Sequence, residues 1–549
     1  MLTAPPPRYD AVVIGAGITG MYQVYSLAKL GLSVRGFEAG SDVGGTWYWN
    51  RYPGCRLDTE SYAYGYFALK NIIPEWQWSE RFAGQPELFR YVRYAADRMG
   101  VRPYYQFNTR VIGARYDETA NLWRLKLDQD AVGQDAEVTC RFLLSAVGPL
   151  SAARMPKIPG IDAFQGQSFH SSRWAHDKDE GSGAINFTGQ RVGVIGTGAT
   201  GVQIIPVVAK TADQLYVFQR TPNWCTPLGN HALTPELTEQ LRGSPESFLK
   251  FIESTETAFP YRRSGKKGTE ATATERQELF ESLYAMPGYG IWLSGYRDLL
   301  TSKTSNSYLA EFVASKIRHR VKNPLLAEKL IPTNHAFGTR RVPMETNYYE
   351  VYNQDNVELV DIQEKPIRSI VAKGIQVGDR LIELDVLVYA TGFNAVTGAL
   401  DRIDIRGCAG LPLRDAWADG PTTYLGLQTA GFPNFFTLVG AHNGAAFCNI
   451  GVCGALQVEW VTEMIGRMRE QGLTYSEPLI EYQEQWTQHV YEIYSKTLLA
   501  ESDAWWVKTT VNSDGSLRRR ALIYVGGAPE YRERCAQIAE KGYEGFKLL

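Results

Sequence analysis

Two glycine-rich loops in one chain constrain its fold more than any other feature. Gly15-x-Gly17-x-x-Gly20 follows the apolar run Ala11-Val12-Val13-Ile14, and Gly196-x-Gly198-x-x-Gly201 follows Val192-Gly193-Val194-Ile195. One such loop alone is weak, because 52 glycines in 549 residues supply about half a match by chance. Context strengthens both. The first unit reads as strand 11–14, helix 17–30 and strand 33–38; the second as strand 192–195, a helix near 199–210 and strand 215–219. A right-handed β-α-β crossover makes the strands of each unit parallel. Two such units suggest two nucleotide cofactors held face to face, so that a hydride passes between them.

The residue closing each unit separates the two cofactors. Glu38 stands 23 positions after Gly15. A carboxylate there accepts from ribose hydroxyls, as an adenosine-containing cofactor requires. Arg220 stands 24 positions after Gly196. A guanidinium suits a 2′-phosphate, so the second nucleotide is expected to be NADP(H) rather than NAD(H). The bland alternatives are a tight turn with a surface glutamate, and an ordinary exposed arginine.

At this length two or three domains are expected. The net charge of −2 gives no reason to expect nucleic acid or an anionic membrane as partner. No apolar run approaches the roughly 18 residues needed to span a bilayer. The Pro5-Pro6-Pro7 start lacks the features of a signal peptide, so a cytoplasmic location is expected. The seven cysteines, Cys55, Cys140, Cys225, Cys408, Cys448, Cys453 and Cys535, include no C-x-x-C pair and read as reduced thiols. That spacing argues against a dithiol flavoenzyme, and the scattered histidines argue against a metal site.

Further along, an aromatic-rich stretch extends to about residue 110, and Phe142–Ala146 reads as a strand. Met155-Pro156-Lys157-Ile158-Pro159-Gly160 reads as a domain crossing. From about 230 to 330 the pattern turns helical, with Leu309, Phe312, Val313, Ile317 and Val321 at helical spacing and Asn323-Pro324 as a helix start. The basic loop Arg262-Arg263-Ser264-Gly265-Lys266-Lys267 reads as a solvated, mobile turn. Strand signals return at Val357–Asp361 and at 385–390.

Between the two glycine loops lies Phe164-x-Gly166-x-x-x-His170-x-x-x-Trp174, far more specific than either loop. A second pattern is Gly44-Gly45-Thr46-Trp47-x-x-x-x-Tyr52-Pro53-Gly54-x-x-x-Asp58. On these residues, with Phe218-Gln219-Arg220-Thr221-Pro222 and Lys541-Gly542-Tyr543-Glu544-Gly545-Phe546, the chain resembles the Baeyer–Villiger monooxygenases, a group of class B flavoprotein monooxygenases. The resemblance covers essentially the whole chain and is weakest in the helical stretch. The family pattern usually continues with Pro or Asp after the tryptophan; Ala175 stands there.

The resemblance implies an α/β fold with two Rossmann-like dinucleotide-binding domains, for FAD and NADP, and a helical insertion in the NADP domain. The expected boundaries are 1–150 and 385–549 for the FAD domain, 151–228 and 328–384 for the NADP domain, and 229–327 for the insertion. It also implies the chemistry: NADPH reduces FAD, reduced flavin captures O₂ as a C4a-peroxide, and the deprotonated peroxide attacks a ketone to give an ester or lactone. A negative oxygen developing beside the flavin calls for a fixed cation. Arg341, in Phe337-Gly338-Thr339-Arg340-Arg341, takes that catalytic position, and Asp58 matches the acid that orients it.

The implied FAD contacts are Gly15, Ala16, Gly17, Gly20, Glu38, Gly45, Thr46, Trp47, Asp58, Tyr64, Val111 and Ile450. The implied NADP contacts are Arg56, Thr197, Gly198, Ala199, Thr200, Gly201, Gln203, Arg220, Thr221, Arg340, Arg341 and Trp505, the last on a mobile loop whose Val507-Lys508-Thr509-Thr510 departs from the family pattern. Ala445, Ala446, Phe447 and Cys448 match the substrate-contacting bulge. Phe164, Gly166, His170 and Trp174 are read as organisers of the inter-domain linker, with His170 satisfying buried backbone groups. A direct acid–base role for His170 is the lesser reading. A ketone and O₂ are the expected partners of a monomer. The rival readings are a related flavin monooxygenase acting on nitrogen or sulfur centres, and a non-catalytic flavin- or NADP(H)-responsive binding protein.

Overall fold

A computed structural model of the chain describes residues 6–66, 75–129, 136–174, 186–444, 448–511 and 515–549. Its architecture is mixed α/β, built on two sheets with parallel cores. In the first, Arg8–Ile14 lies between Val34–Phe37 and Ala136–Ser145, parallel to both. Thr109–Asp117 and Leu122–Gln129 extend this sheet as an antiparallel meander, and Phe435–Thr437 adds a parallel neighbour to the end of Ala136–Ser145. In the second sheet five parallel strands run in the order Val357–Asp361, Gln214–Gln219, Arg191–Ile195, Val386–Tyr389, Gln167–His170.

The continuous apolar runs follow from burial on both faces. Val12 and Val13 point to opposite sides of their strand, yet both are fully buried, and Val192 and Val194 are equally so. The helices Ile18–Lys29 and Ala199–Val208 connect the strands of the two β-α-β units.

Between the sheets' strands lies a helix-rich segment. Its ends meet side by side, since Thr226–Pro227 pairs in parallel with Met344–Glu345. Within it run Pro235–Gly243, Pro245–Glu253, Ala273–Ala285, Gly290–Leu293, Lys303–Arg320 and Pro324–Leu330. Asn323 caps the last of these, accepting from the N–H groups of Leu325 and Leu326. The side chain thus satisfies helix donors that have no intrahelical acceptor.

Three expectations need correction, and the aromatic-rich stretch holds an element that its pattern does not announce. The boundary at 385 falls too early: Val386–Tyr389 pairs with Val192–Ile195 in the second sheet. That strand's residues are all buried and need neighbours on both edges, which the second sheet supplies. The aromatic-rich stretch contains a 15-residue helix, Gln85–Met99, closed by Gly100 at φ 64° in a left-handed C-cap. The basic loop is pinned rather than free: Arg263 pairs with Glu256 at 2.9 Å, Lys266 with Glu275 at 2.7 Å, and Arg262 donates to Ser254. Finally, Cys448 and Cys453 are joined as a disulfide, while Cys55, Cys140, Cys225, Cys408 and Cys535 are free. A start of helix at Ile450 brings the two Cα atoms to 6.2 Å, within bridging range.

Candidate active site

The two glycine loops are built alike. Gly15 has φ 105°, and a Cβ there would lie 2.6 Å from the Ala146 carbonyl oxygen. Gly196 has φ 111°, with the Ala390 carbonyl oxygen 2.5 Å from the same added atom. Gly20 and Gly201 each lie against the carbonyl of their own loop's first glycine, so a side chain would separate helix from strand. Gly17 and Gly198 are the N-caps of their helices and have no capping side chain. The first-turn N–H groups therefore have no side-chain cap, an arrangement that suits a pyrophosphate. Ala16, Ala199 and Thr200 complete these turns.

Glu38 is 6% exposed and accepts from the N–H groups of Ala16 at 2.9 Å and Gly40 at 2.7 Å. Burial raises its pKa from the ordinary carboxylate value, and these two donors work the other way. It ties the strand end to the loop. At the second loop the Thr197 hydroxyl donates to the Thr221 carbonyl at 3.0 Å. Arg220 follows the strand and is exposed. Arg340 is close enough to feel its charge, and Arg340 Nε is buried with no acceptor among the described residues. Burial lowers the pKa of Arg340, Asp503 opposes that shift and Arg220 adds to it. Two cations within range of each other's charge suit a phosphate.

The Trp47–Asp58 pattern lies where the two nucleotide units meet. Gly44 N–H donates to the Ala16 carbonyl at 2.9 Å, and a Cβ on Gly45 would lie 2.8 Å from Gly17 Cα. Thr46–Trp49 forms a short helix starting there. Trp47 Nε1 donates to the Tyr64 hydroxyl at 2.9 Å, with the rings edge to face. The Tyr52 hydroxyl donates to Gln203 Oε1 at 2.9 Å, and Gln203 Nε2 donates to the Arg56 carbonyl at 3.2 Å. Gly54 has φ 81° and sits under the second unit's helix, where a Cβ would lie 2.6 Å from the Gln203 carbonyl oxygen. Tyr52, Pro53 and Gly54 thus form a docking surface for that helix. The Arg56 side chain reaches Glu80 at 3.4 Å.

Arg341 and Asp58 meet here. Arg341 Nη2 lies 2.7 Å from both Asp58 oxygens, and Nε donates to Oδ2 at 3.2 Å. The Asp58 side chain is 14% exposed and that of Arg341 37%. Burial disfavours the Arg341 charge, but Asp58 and Tyr289 outweigh it and hold its pKa above the ordinary arginine value. The cation is therefore permanent at any working pH.

The remaining expected residues lie on other elements or outside the described residues. Ile450 opens the helix Ile450–Glu470; its cap Asn449 donates to the Ala63 carbonyl at 2.5 Å, which ties the start of that helix to the segment leading into Tyr64. Val111 is buried on the strand Thr109–Asp117. Trp505 is half-buried edge to face with Trp506, and Val507–Val511 forms a hairpin with Leu517–Ala521 rather than a loop. Ala445, Ala446 and Phe447 lie outside the described residues, as does Ala175. Cys448 is held by its disulfide at the edge of that bulge.

The linker pattern closes on itself. The Phe164 ring covers Gly166, where a Cβ would lie 2.6 Å from the ring. His170 Nδ1 accepts from Ser172 N–H at 3.2 Å, so Nε2 carries the hydrogen donated to the Gly392 carbonyl at 3.0 Å. Burial lowers its pKa and keeps it neutral. Trp174 packs edge-on against Phe169 and Phe187. Among the described residues, none of the contacts made by His170 or Trp174 reaches Arg341 or Asp58.

One residue at the centre had no signal in the sequence. Tyr289, from the helical segment, places its hydroxyl 2.9 Å from Arg341 Nη2. It lies where the family resemblance is weakest.

Comparison with known proteins identifies the family. The family model described as flavin-binding monooxygenase-like matches residues 9–231. The 2-oxo-Δ³-4,5,5-trimethylcyclopentenylacetyl-CoA monooxygenase of Pseudomonas putida is 63% identical over 99% of both chains. A Baeyer–Villiger monooxygenase of Pseudooceanicola batsensis is 37% identical over 97% of this chain and 95% of its own. A crystal structure of OTEMO in complex with FAD and NADP superposes with TM-score 0.95 at 62% identity, covering 99% of this chain and 100% of that one. No described helix is long and apolar enough to cross a membrane. Similarity of this extent, over the whole chain and both nucleotide units, shows that the chain belongs to the Baeyer–Villiger monooxygenases, the FAD-dependent enzymes that use NADPH and O₂ to convert ketones to esters or lactones.

Proposed function

We propose that the enzyme oxidises a cyclopentenone-type ketone carried as a coenzyme A thioester, expanding the ring to a lactone. The observation that carries this reading is the 63% identity, across 99% of both chains, to a Pseudomonas putida enzyme named for such a substrate. Bound FAD, once reduced by NADPH, supplies the electrons and activates the O₂ from which one oxygen enters the product.

The protein's own part is electrostatic and positional. Gly15, Gly17, Gly20 and Glu38 hold the adenosine end of FAD, with Trp47 and Tyr64 toward its ring. Gly198, Gly201, Arg220 and Arg340 hold NADP, the two arginines reading the 2′-phosphate. Arg341 places a fixed positive charge where the ketone oxygen becomes negative as its carbon is attacked. Asp58 pairs with the guanidinium through its Nε and Nη2. His170 and Trp174 hold the linker and take no proton from substrate.

The test compares kcat/KM for the thioester, its free acid, cyclopentanone, an amine and a sulfide, following lactone formation against NADPH loss. The reading requires lactone from the thioester with higher kcat/KM than from the free acid or cyclopentanone. Equal values for thioester and free acid would remove the coenzyme A assignment. Preference for amine or sulfide would favour the nitrogen- or sulfur-oxidising alternative.

A further inference from the structure

Tyr289 is tied at both ends to one short piece of the first nucleotide unit. Its hydroxyl accepts from Arg341 Nη2 at 2.9 Å and interacts with Asp58. Its backbone N–H donates to the Tyr261 hydroxyl at 3.0 Å. Tyr261 in turn donates to Glu60, two residues beyond Asp58, and Glu60 also accepts from Arg81 at 3.2 Å. Glu60 is fully buried and Tyr289 is 2% exposed. The ring packs against Phe259, Tyr261 and Trp292. Gly288, at φ 84°, would with an added Cβ lie against the Tyr261 hydroxyl and 2.9 Å from the Phe82 ring, so the turn leading into Tyr289 has no room for a side chain there.

The donor count at Arg341 gives this geometry a chemical meaning. Nε and Nη2 are directed to Asp58 and Tyr289, and Nη1 makes no hydrogen bond among the described residues. Asp58 alone leaves one Nη2 hydrogen uncommitted and the guanidinium able to pivot about the carboxylate. Tyr289 takes that hydrogen. We propose that Tyr289 is a positioning residue: by occupying Nη2 it holds the guanidinium so that Nη1 is the donor left to face the reacting oxygen. The helical segment thereby sets the orientation of a cation that lies outside it. This inference rests on the reading of Arg341 as the catalytic cation.

The test uses FAD-loaded enzyme carrying Tyr289→Phe, Arg341→Lys, or both. Flavin content and the NADP⁺ dissociation constant, from flavin absorbance, report folding and cofactor binding independently of turnover. Ester formed per NADPH consumed, hydrogen peroxide released, and kcat for ester report the chemistry. Tyr289→Phe is expected to retain FAD and its reduction by NADPH, to release more peroxide, and to lose about tenfold in kcat for ester, the scale of one hydrogen bond to a charged group. The double variant is expected to be no slower than Arg341→Lys alone, because residues acting through one group are not additive. Parental ester yield in Tyr289→Phe, or losses that multiply in the double variant, would overturn the proposal. Parental yield in Arg341→Lys would overturn the underlying reading as well, which separates the two failures. If Tyr289→Phe does not retain FAD, Tyr261→Phe decides, since it frees the backbone of Tyr289 without touching Arg341: lowered ester yield supports the proposal and parental yield rejects it.

Discussion

Arg341 and Asp58, 283 residues apart in the chain, meet with Arg341 Nη2 2.7 Å from both carboxylate oxygens. The pair joins a residue beyond the helical segment to one in the first nucleotide unit. Its geometry therefore depends on how the units dock. Tyr52, Gly54 and Gln203 make that docking, and the following tests separate docking, cofactor choice and chemistry.

Arg220 is exposed at the end of its strand, with Arg340 within range of its charge. Arg220→Ala is expected to raise KM for NADPH by roughly ten- to a hundredfold while leaving that for NADH nearly unchanged. Arg220→Lys should recover part of the loss. Steady-state KM values for both nucleotides check this, and an unchanged NADPH preference would remove Arg220 as the phosphate reader.

Gly54→Ala tests the docking surface. The residue has φ 81°, and its new Cβ would lie 2.6 Å from the Gln203 carbonyl oxygen and 2.9 Å from Val207. The left-handed conformation alone costs about 1–2 kcal/mol for a non-glycine residue. The melting temperature should fall and KM for NADPH should rise together. A fall in melting temperature without any change in NADPH binding would show that this contact does not set the second cofactor's position.

His442 gives a pH dependence with a defined sign. It is fully buried, its Nε2 donating to the Ala521 carbonyl at 3.0 Å and its Nδ1 facing the Thr423 hydroxyl. Burial pushes its pKa down to about 4. The unfolded chain takes up that proton near pH 6.5, so the stability His442 contributes at neutral pH is lost as pH falls from about 6.5 toward 4, roughly 3 kcal/mol in all. His335, pushed down to about 3, adds to the same loss. Asn tolerates the φ of 61° at this position. His442→Asn should therefore flatten, without abolishing, the drop in melting temperature on the acid side. An identical pH profile would contradict the assignment.

Parts of this molecule are readable in sequence because physics leaves little choice. Gly15 and Gly196 occupy backbone conformations and contacts that other residues do not fit, and the runs around Val12 and Val194 are buried on both faces. Glu38 and Arg220 follow from where the next strand must end. Other parts depend on long-range packing. The run at Val386–Tyr389 announces a strand but not which sheet receives it. The meander of Thr109–Asp117, Leu122–Gln129 and Ala136–Ser145 is legible only in its last strand, because Thr109–Asp117 alternates between buried and exposed residues and is not a continuous apolar run. Cys448 and Cys453 form no familiar spacing, and only the helix starting at Ile450 brings them together. Tyr289 reaches Arg341 through the packing of a segment that has no cofactor pattern of its own.

The most direct measurement is a single turnover of FAD-loaded Arg341→Ala with NADPH, O₂ and a ketone that the parent enzyme accepts. The variant should bind FAD and let NADPH reduce it, yet form ester at least about a hundredfold more slowly than the parent, because the fixed charge for the developing oxyanion is gone. Ester formed at the parental rate and yield would contradict the account.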